Sequence, residues 1–357
     1  MYEQNFYNLE YNELKKHLSE FNLSEKAASM RANQIWKFVY KKGVGNPDNF
    51  INLPLELINK IKTKIDFNKI SIEEKKASRD GTIKWLFKLN DGNLIETVYI
   101  PFGKTGTLCV SSQVGCTLNC KFCHTGTQMI VKNLETTEII QQVLLAKDEL
   151  TDWSKEKKIR NIVYMGMGEP LYNFNNVKKS IEILKNVDGL EFGPKRITIS
   201  TAGIVPEILS ASKEIKTCLA VSLHAPTDEI REKIMPINKK YKLKALIDSC
   251  RKYAEMNKEK IFLEYVLLKD INDTKYCAQK LIKLMGGFPC KLNLIEFNVW
   301  PGAGFEPSSK EKVSEFYNTI KESGHVVTLR KSKGNDILGA CGQLKTESKK
   351  ISKKLDN

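Results

Sequence analysis

The 357-residue chain carries 57 Lys and Arg against 42 Asp and Glu, a formal charge of +15, and is long enough for one large domain of roughly 250 residues with a smaller one beside it. No stretch nears the ~20 consecutive apolar residues of a membrane span, and the N-terminal MYEQNFYNLE has no apolar signal region, so a cytoplasmic protein without a membrane partner is expected. Nine cysteines without framework spacing exclude a disulfide scaffold in favour of thiol or metal chemistry, while the positive charge suits either an RNA or DNA partner or a lysine-rich solubilising surface.

Residues 1 to about 65 read as a small basic helical module. Leu14, Leu18 and Phe21 recur at helical spacing, as do Ala28, Ile35, Phe38 and Val39, with Ser24 as N-cap and Gly43 as stop. Pro54 opens a third helix through Leu57, Ile58 and Ile61. Such a module serves as a nucleic-acid handle or as a packing cap. From 66 to 100 the period changes to two: ISIEEKKAS, TIKWLFKL and NLIETVYIP are separated by Arg79-Asp80-Gly81 and Asn90-Asp91-Gly92, which predicts an antiparallel meander with Glu96 on its last strand.

From 101 to 344 strand-like and helix-like runs alternate. The strands are predicted at Thr107 to Ser111, Asn161 to Met165, Arg196 to Ser200, Cys218 to Leu223, Ile261 to Leu268 and Lys291 to Phe297. Six β-then-α units require parallel strands with right-handed crossovers, in an open doubly wound sheet or in a full or partial barrel. A last pair, Lys310 to Glu322 and His325 to Leu329, precedes a basic tail at 345–357 that is expected to be disordered.

The most informative stretch is GCTLNCKFC, Gly115 to Cys123, in the loop after the first of these strands. Ligands of β/α folds sit in such loops. Cys116, Cys120 and Cys123 form a C-x3-C-x2-C array whose three thiolates wrap one inorganic centre and leave a ligand position open. Zinc's usual arrays pair two C-x2-C knuckles or add histidines, and His124, directly after Cys123, is poorly placed to bind the same ion. An iron-sulfur cluster with one open iron fits the spacing better.

C-x3-C-x2-C in this position resembles the signature of the radical S-adenosylmethionine (SAM) superfamily. TLCVSSQVGCTLNCKFC, GMGEP, ISTAG, SLHAP, MPINKKY, NLIEFN and ACGQL, in that order between about Glu96 and Leu344, resemble more narrowly the RlmN family of dual-specificity RNA adenine-C2 methyltransferases. The resemblance implies an α/β fold, a partial (β/α)6 barrel with the N-terminal helical module and the antiparallel extension as accessories. It implies a [4Fe-4S] cluster on Cys116, Cys120 and Cys123, and SAM held by Gly168, Glu169, Ser200, Ser222, Leu223, His224 and Asn298. The implied partners are 23S rRNA, tRNA and an electron donor such as flavodoxin, with the chain a monomer.

The resemblance also implies a chemistry. C2 of adenine is an electrophilic amidine carbon, which direct displacement cannot methylate. A first SAM methylates Cys341; a second, cleaved reductively, yields a radical that takes hydrogen from that methyl, and the resulting methylene adds to C2. Glu96 removes the C2 proton, and Cys109 attacks the Cys341 sulfur, releasing the methylated base and leaving a Cys109–Cys341 disulfide. A C8-methylating enzyme of the same superfamily shares both cysteines, and an iron-sulfur RNA-binding protein without methyl transfer shares the triad alone. Cys218, Cys250, Cys277 and Cys290 fall on core-like faces. Arg231, Lys233, Lys239 and Lys240 around MPINKKY either hold phosphates or form a solvated loop.

Overall fold

The computed structural model describes residues 3–348. Three helices open the chain: α1 (Tyr11–Ser19), α2 (Glu25–Lys42) and α3 (Leu55–Lys64). Ser24 caps α2 by accepting from the Ala27 N–H, and Gly43 ends it in the left-handed conformation. A short parallel pair, Gln4–Asn5 with Ile65–Asp66, ties the two ends of this module together. Its buried side chains are continuous with those of the rest of the chain, and the Trp36 indole donates to Asn186 at 3.0 Å across the junction.

The main sheet has ten strands: β1 (Ser71–Ala77), β2 (Ile83–Lys88), β3 (Leu94–Phe102), β4 (Thr105–Cys109), β5 (Ile159–Tyr164), β6 (Ile197–Thr201), β7 (Cys218–Ser222), β8 (Ile261–Leu267), β9 (Cys290–Glu296) and β10 (Val327–Arg330). Each strand pairs with its neighbours in sequence: β1 to β4 antiparallel, and β4 through β10 parallel. A doubly wound sheet reverses its strand order at a switch point; this order never reverses. Right-handed crossovers in one unbroken direction put every helix on the same face and curl the sheet toward the other. Its first and last strands do not pair, so the result is a partial barrel, with β10 as a strand beyond the six predicted units.

The register separates the two faces. Tyr164 on β5 reaches Ser180 of α4 (Phe174–Lys185) at 2.7 Å, and Tyr265 on β8 packs on Phe316 of α5 (Lys310–Glu322), so these alternate positions look toward the helices. The intervening positions, paired across the sheet, look the opposite way: Glu96 and Val98 on β3, Cys109, Val163, Ser200, Ser222, Glu264, Ile295 and Arg330. One pleat parity therefore lines the concave face with residues of eight strands, six of which supply a polar or sulfur-bearing side chain. Lys345–Ser348 run back over that face onto the meander, where Lys345 N–H donates to Glu96 and Leu94 N–H to Ser348. The expectation of a disordered tail fails for these four residues because the Glu96 carboxylate, the Gln128 side chain and the Leu94 backbone give them hydrogen-bond partners; for 349–357 it lies outside the described residues.

Candidate active site

The triad loop leaves β4 and is shaped by backbone contacts. Cys123 N–H donates to Cys120 O at 3.1 Å, Cys116 N–H to Gln128 O at 3.1 Å, and Lys121 N–H to Ile234 O at 2.9 Å. A cavity of about 160 Å³ opens on the concave face, lined by Cys116, Cys120, Cys123, Gly168, Glu169, Ser200, Ser222, His224, Asn298 and Cys341. Ten of the thirteen residues singled out from the sequence thus share one enclosure. Leu223, fully buried, lies outside the lining, as do Cys109 and Glu96.

The three thiols surround a volume. A multi-iron cluster needs sulfurs set around a space, and all three thiols line this cavity. Burial pushes the Cys116 thiol up to about 12 and raises Cys120 and Cys123 as well. The thiols are therefore neutral until a metal centre displaces their protons.

Glu169 ends the β5 loop at MGMGEP. Gly168, at φ +94°, lets the chain pass so close to Gln113 that a Cβ would lie 2.4 Å from the Gln113 Cβ. That approach lets Gln113 Oε1 accept from Glu169 N–H at 2.8 Å. The Glu169 carboxylate accepts from Leu171 N–H at 3.1 Å and Ala202 N–H at 2.7 Å, yet burial still raises it from 4.5 to about 7. A buried carboxylate with no cation facing it is a receptor for one.

His224, at φ +56°, is neutral: burial first, then the Arg231 cation, pull it down to about 3. Its Nδ1 accepts from Val266 N–H at 3.0 Å, which leaves Nε2 carrying the proton and makes the ring a donor. Arg231 corrects the phosphate reading. It is fully buried and donates to Leu223 O, Ala202 O, Ser222 O and Asn238 at 2.6–3.1 Å, lacing together the loops after β6 and β7.

Cys341 is held from two sides. Asn298 donates to Cys341 O at 3.0 Å, and His124 N–H in the triad loop donates to Gly342 O at 2.7 Å. His124 itself stacks on Trp300, 4.6 Å between centroids, so it faces away from metal ligation. Cys109 is buried on β4 in a small cluster with Val98, Met167 and Leu344, and burial, then the nearby Cys341 sulfur, hold its thiol high. Both cysteines are free thiols here. Glu96 is 5 % exposed, a buried carboxyl on β3. It pairs with Lys84 at 2.7 Å and accepts from Lys345 N–H at 2.9 Å. Burial raises its carboxyl, with Lys84 and the Lys345 N–H pulling the other way.

Three participants escaped the sequence reading. Arg330 lines the cavity beside Cys341 and lies 3.4 Å from buried Glu264, which also accepts from Asn293 at 2.8 Å. Its one available signal was a charged residue at the carboxyl end of a parallel strand; the predicted strand stopped at Leu329. Lys84 left no signal, because its partner Glu96 belongs to the adjacent strand.

A model of the radical SAM superfamily matches residues 110–277. The chain is 45 % identical over 359 aligned residues, 96 % of this chain and 88 % of the relative, to a dual-specificity RNA methyltransferase RlmN of Agrobacterium fabrum. It is 46 % identical to one of Mesorhizobium japonicum, with 92 % and 85 % covered. Among solved structures, a radical SAM methyltransferase from Sphaerobacter thermophilus superposes with a TM-score of 0.89 at 36 % identity, covering 95 % of this chain and 98 % of that one.

Proposed function

The chain belongs to the RlmN family of radical SAM RNA methyltransferases, and from that premise we propose that it methylates C2 of an adenosine in 23S rRNA and of the adenosine 3′ to the anticodon in tRNAs. The observation that carries the proposal is the shared cavity, in which Cys341 faces the three cysteines of the triad. Cys116, Cys120 and Cys123 hold the [4Fe-4S] cluster; Gly168, Glu169, Ser200, Ser222, His224, Asn298 and the backbone of Leu223 hold SAM. When bound, the cluster and SAM supply methyl groups and a carbon-centred radical.

The rest belongs to the chain's own residues. Glu169 meets an ammonium group, whose arrival draws its raised carboxyl back down and keeps it ionised. His224 donates from Nε2 to an oxygen acceptor. Cys341 accepts a methyl on sulfur and presents it to the base, with Asn298 and His124 fixing the backbone on both sides. Glu96 takes the C2 proton, and Lys84, paired with it, favours the ionised carboxylate that can accept that proton. Cys109 then attacks the Cys341 sulfur: the sulfur–sulfur bond forms, the sulfur–carbon bond breaks with its electron pair left on carbon, that carbon takes a proton to become the methyl, and the methylated base leaves; the unpaired electron of the adduct would be returned to the bound cluster. Each turnover deposits a Cys109–Cys341 disulfide that a thiol reductant must reopen. The base is presented unstacked, as chemistry on a base atom requires.

Such a cycle fits a monomer in the reducing cytoplasm, supplied with electrons by a donor such as flavodoxin. Among the described residues no helix is long and apolar enough to cross a membrane. Mass spectrometry of 23S rRNA and tRNA from a deletion strain, with and without the restored gene, is the test. Loss and recovery of 2-methyladenosine supports the proposal; an unchanged level, or loss of 8-methyladenosine instead, refutes it.

A further inference from the structure

We propose that a groove on the outer side of the triad loop docks the reduced, acidic one-electron carrier protein that feeds the cluster. The inference rests on the reading of the site as a radical SAM centre. The groove, of about 680 Å³, runs between the triad loop and the MPINKKY segment. Leu118, between Cys116 and Cys120, lines both this groove and the inner cavity. That side chain therefore borders both the outer groove and the cavity the triad lines.

The lining suits an acidic carrier. Leu118, Ile130, Pro236 and Ile237 contribute apolar surface, no carboxylate lines the groove, and Lys239 and Lys240 stand exposed along it. Lys121, exposed on the triad loop, adjoins the same segment through its backbone bond to Ile234. Among the described residues none of these three lysines has a carboxylate within the 4.0 Å of an ion pair, whereas many other lysines of the chain do. A small apolar patch rimmed by uncompensated cations is what a brief, electrostatically steered electron-transfer encounter requires.

Cys341 also faces a second cavity lined by Ile100, Arg330, Lys331 and Lys333, which shares no residue with the groove. That cavity, of about 40 Å³, is basic as well, so the basic side chains nearest Cys341 are not those of the groove. In the transfer the carrier's reduced cofactor is oxidised by one electron and the cluster is reduced by one; no proton or bond moves.

The test is anaerobic stopped-flow reduction of the iron-loaded enzyme and of its Lys239→Glu/Lys240→Glu variant, using a hydroquinone flavodoxin and, separately, dithionite. The flavodoxin rate constant falls about tenfold or more in the variant at low salt, and the gap narrows as salt rises. Calorimetric binding of oxidised flavodoxin weakens in parallel, while dithionite reduction and the affinity for a 23S rRNA hairpin hold. Equal flavodoxin rates overturn the proposal, and a loss confined to hairpin affinity overturns it by giving the groove to RNA. If dithionite supports no SAM cleavage in the unaltered enzyme, the radical SAM reading falls as well.

Discussion

At the scale of single residues, the site is governed by carboxyls that burial holds above their ordinary range. Glu169 titrates at about 7 when folded and near 4.5 when unfolded. Between those values the folded chain keeps a proton the unfolded chain has lost, so the contribution is intact below about 4.5 and declines as pH rises through 7, by roughly 3 kcal/mol. Thermal unfolding of the iron-free chain should therefore show a lower Tm at pH 8 than at pH 5, and Glu169→Gln should shrink that difference. For Glu96 the sign concerns rate. Removing the ammonium in Lys84→Met raises the carboxyl further, and the pH at which methyl transfer reaches half its maximum should move upward; Lys84→Arg should restore it, and an unmoved profile would detach Lys84 from the base. Cys109→Ala should accumulate a covalent protein–RNA adduct through Cys341, seen on a denaturing gel; absence of any adduct removes Cys109 from the resolving step. The triad and GMGEP were legible because the residues of each motif are adjacent in sequence, although their partners, Ile234, Gln113 and Ala202, are not. The environment of Glu96 was not: period two puts it on a strand, but its cover comes from Lys345, 249 residues away.

At the scale of elements, the helices and turns followed from local signals. Ser24, Gly43 and the two Asp-Gly turns are where their chemistry predicts, since capping and left-handed φ depend on neighbouring backbone. Gly43 carries a second duty that only packing reveals. At φ +72°, a Cβ there would sit 2.5 Å from the Trp153 ring. Gly43→Ala should cost about 2 kcal/mol, combining backbone strain with displacement of the indole, read as a lower denaturant midpoint with an unchanged slope. The Cys341 segment shows the reverse case. Its glycines suggested a chain that bends back, but its anchors, Asn298 and the His124 backbone, come from elements 43 and 218 residues earlier.

At the scale of the molecule, the sequential strand order is the decisive fact. The alternation of strands and helices left a doubly wound sheet and a barrel both open, because alternation fixes the crossover hand and says nothing of the order in which strands join. The unbroken order from β1 to β10 gathers alternate residues of successive strands onto one concave wall, and Arg231, for which the sequence left a phosphate contact and a solvated loop both open, proves to be the tie that holds two of its loops. On that wall the triad and Cys341 share a cavity, and the central claim is that Cys341 carries the methyl group to the base. Its most direct test is single-turnover methylation of a 23S rRNA fragment by reconstituted Cys341→Ala. The account predicts unchanged iron content and no 2-methyladenosine; formation of 2-methyladenosine by that variant would contradict it.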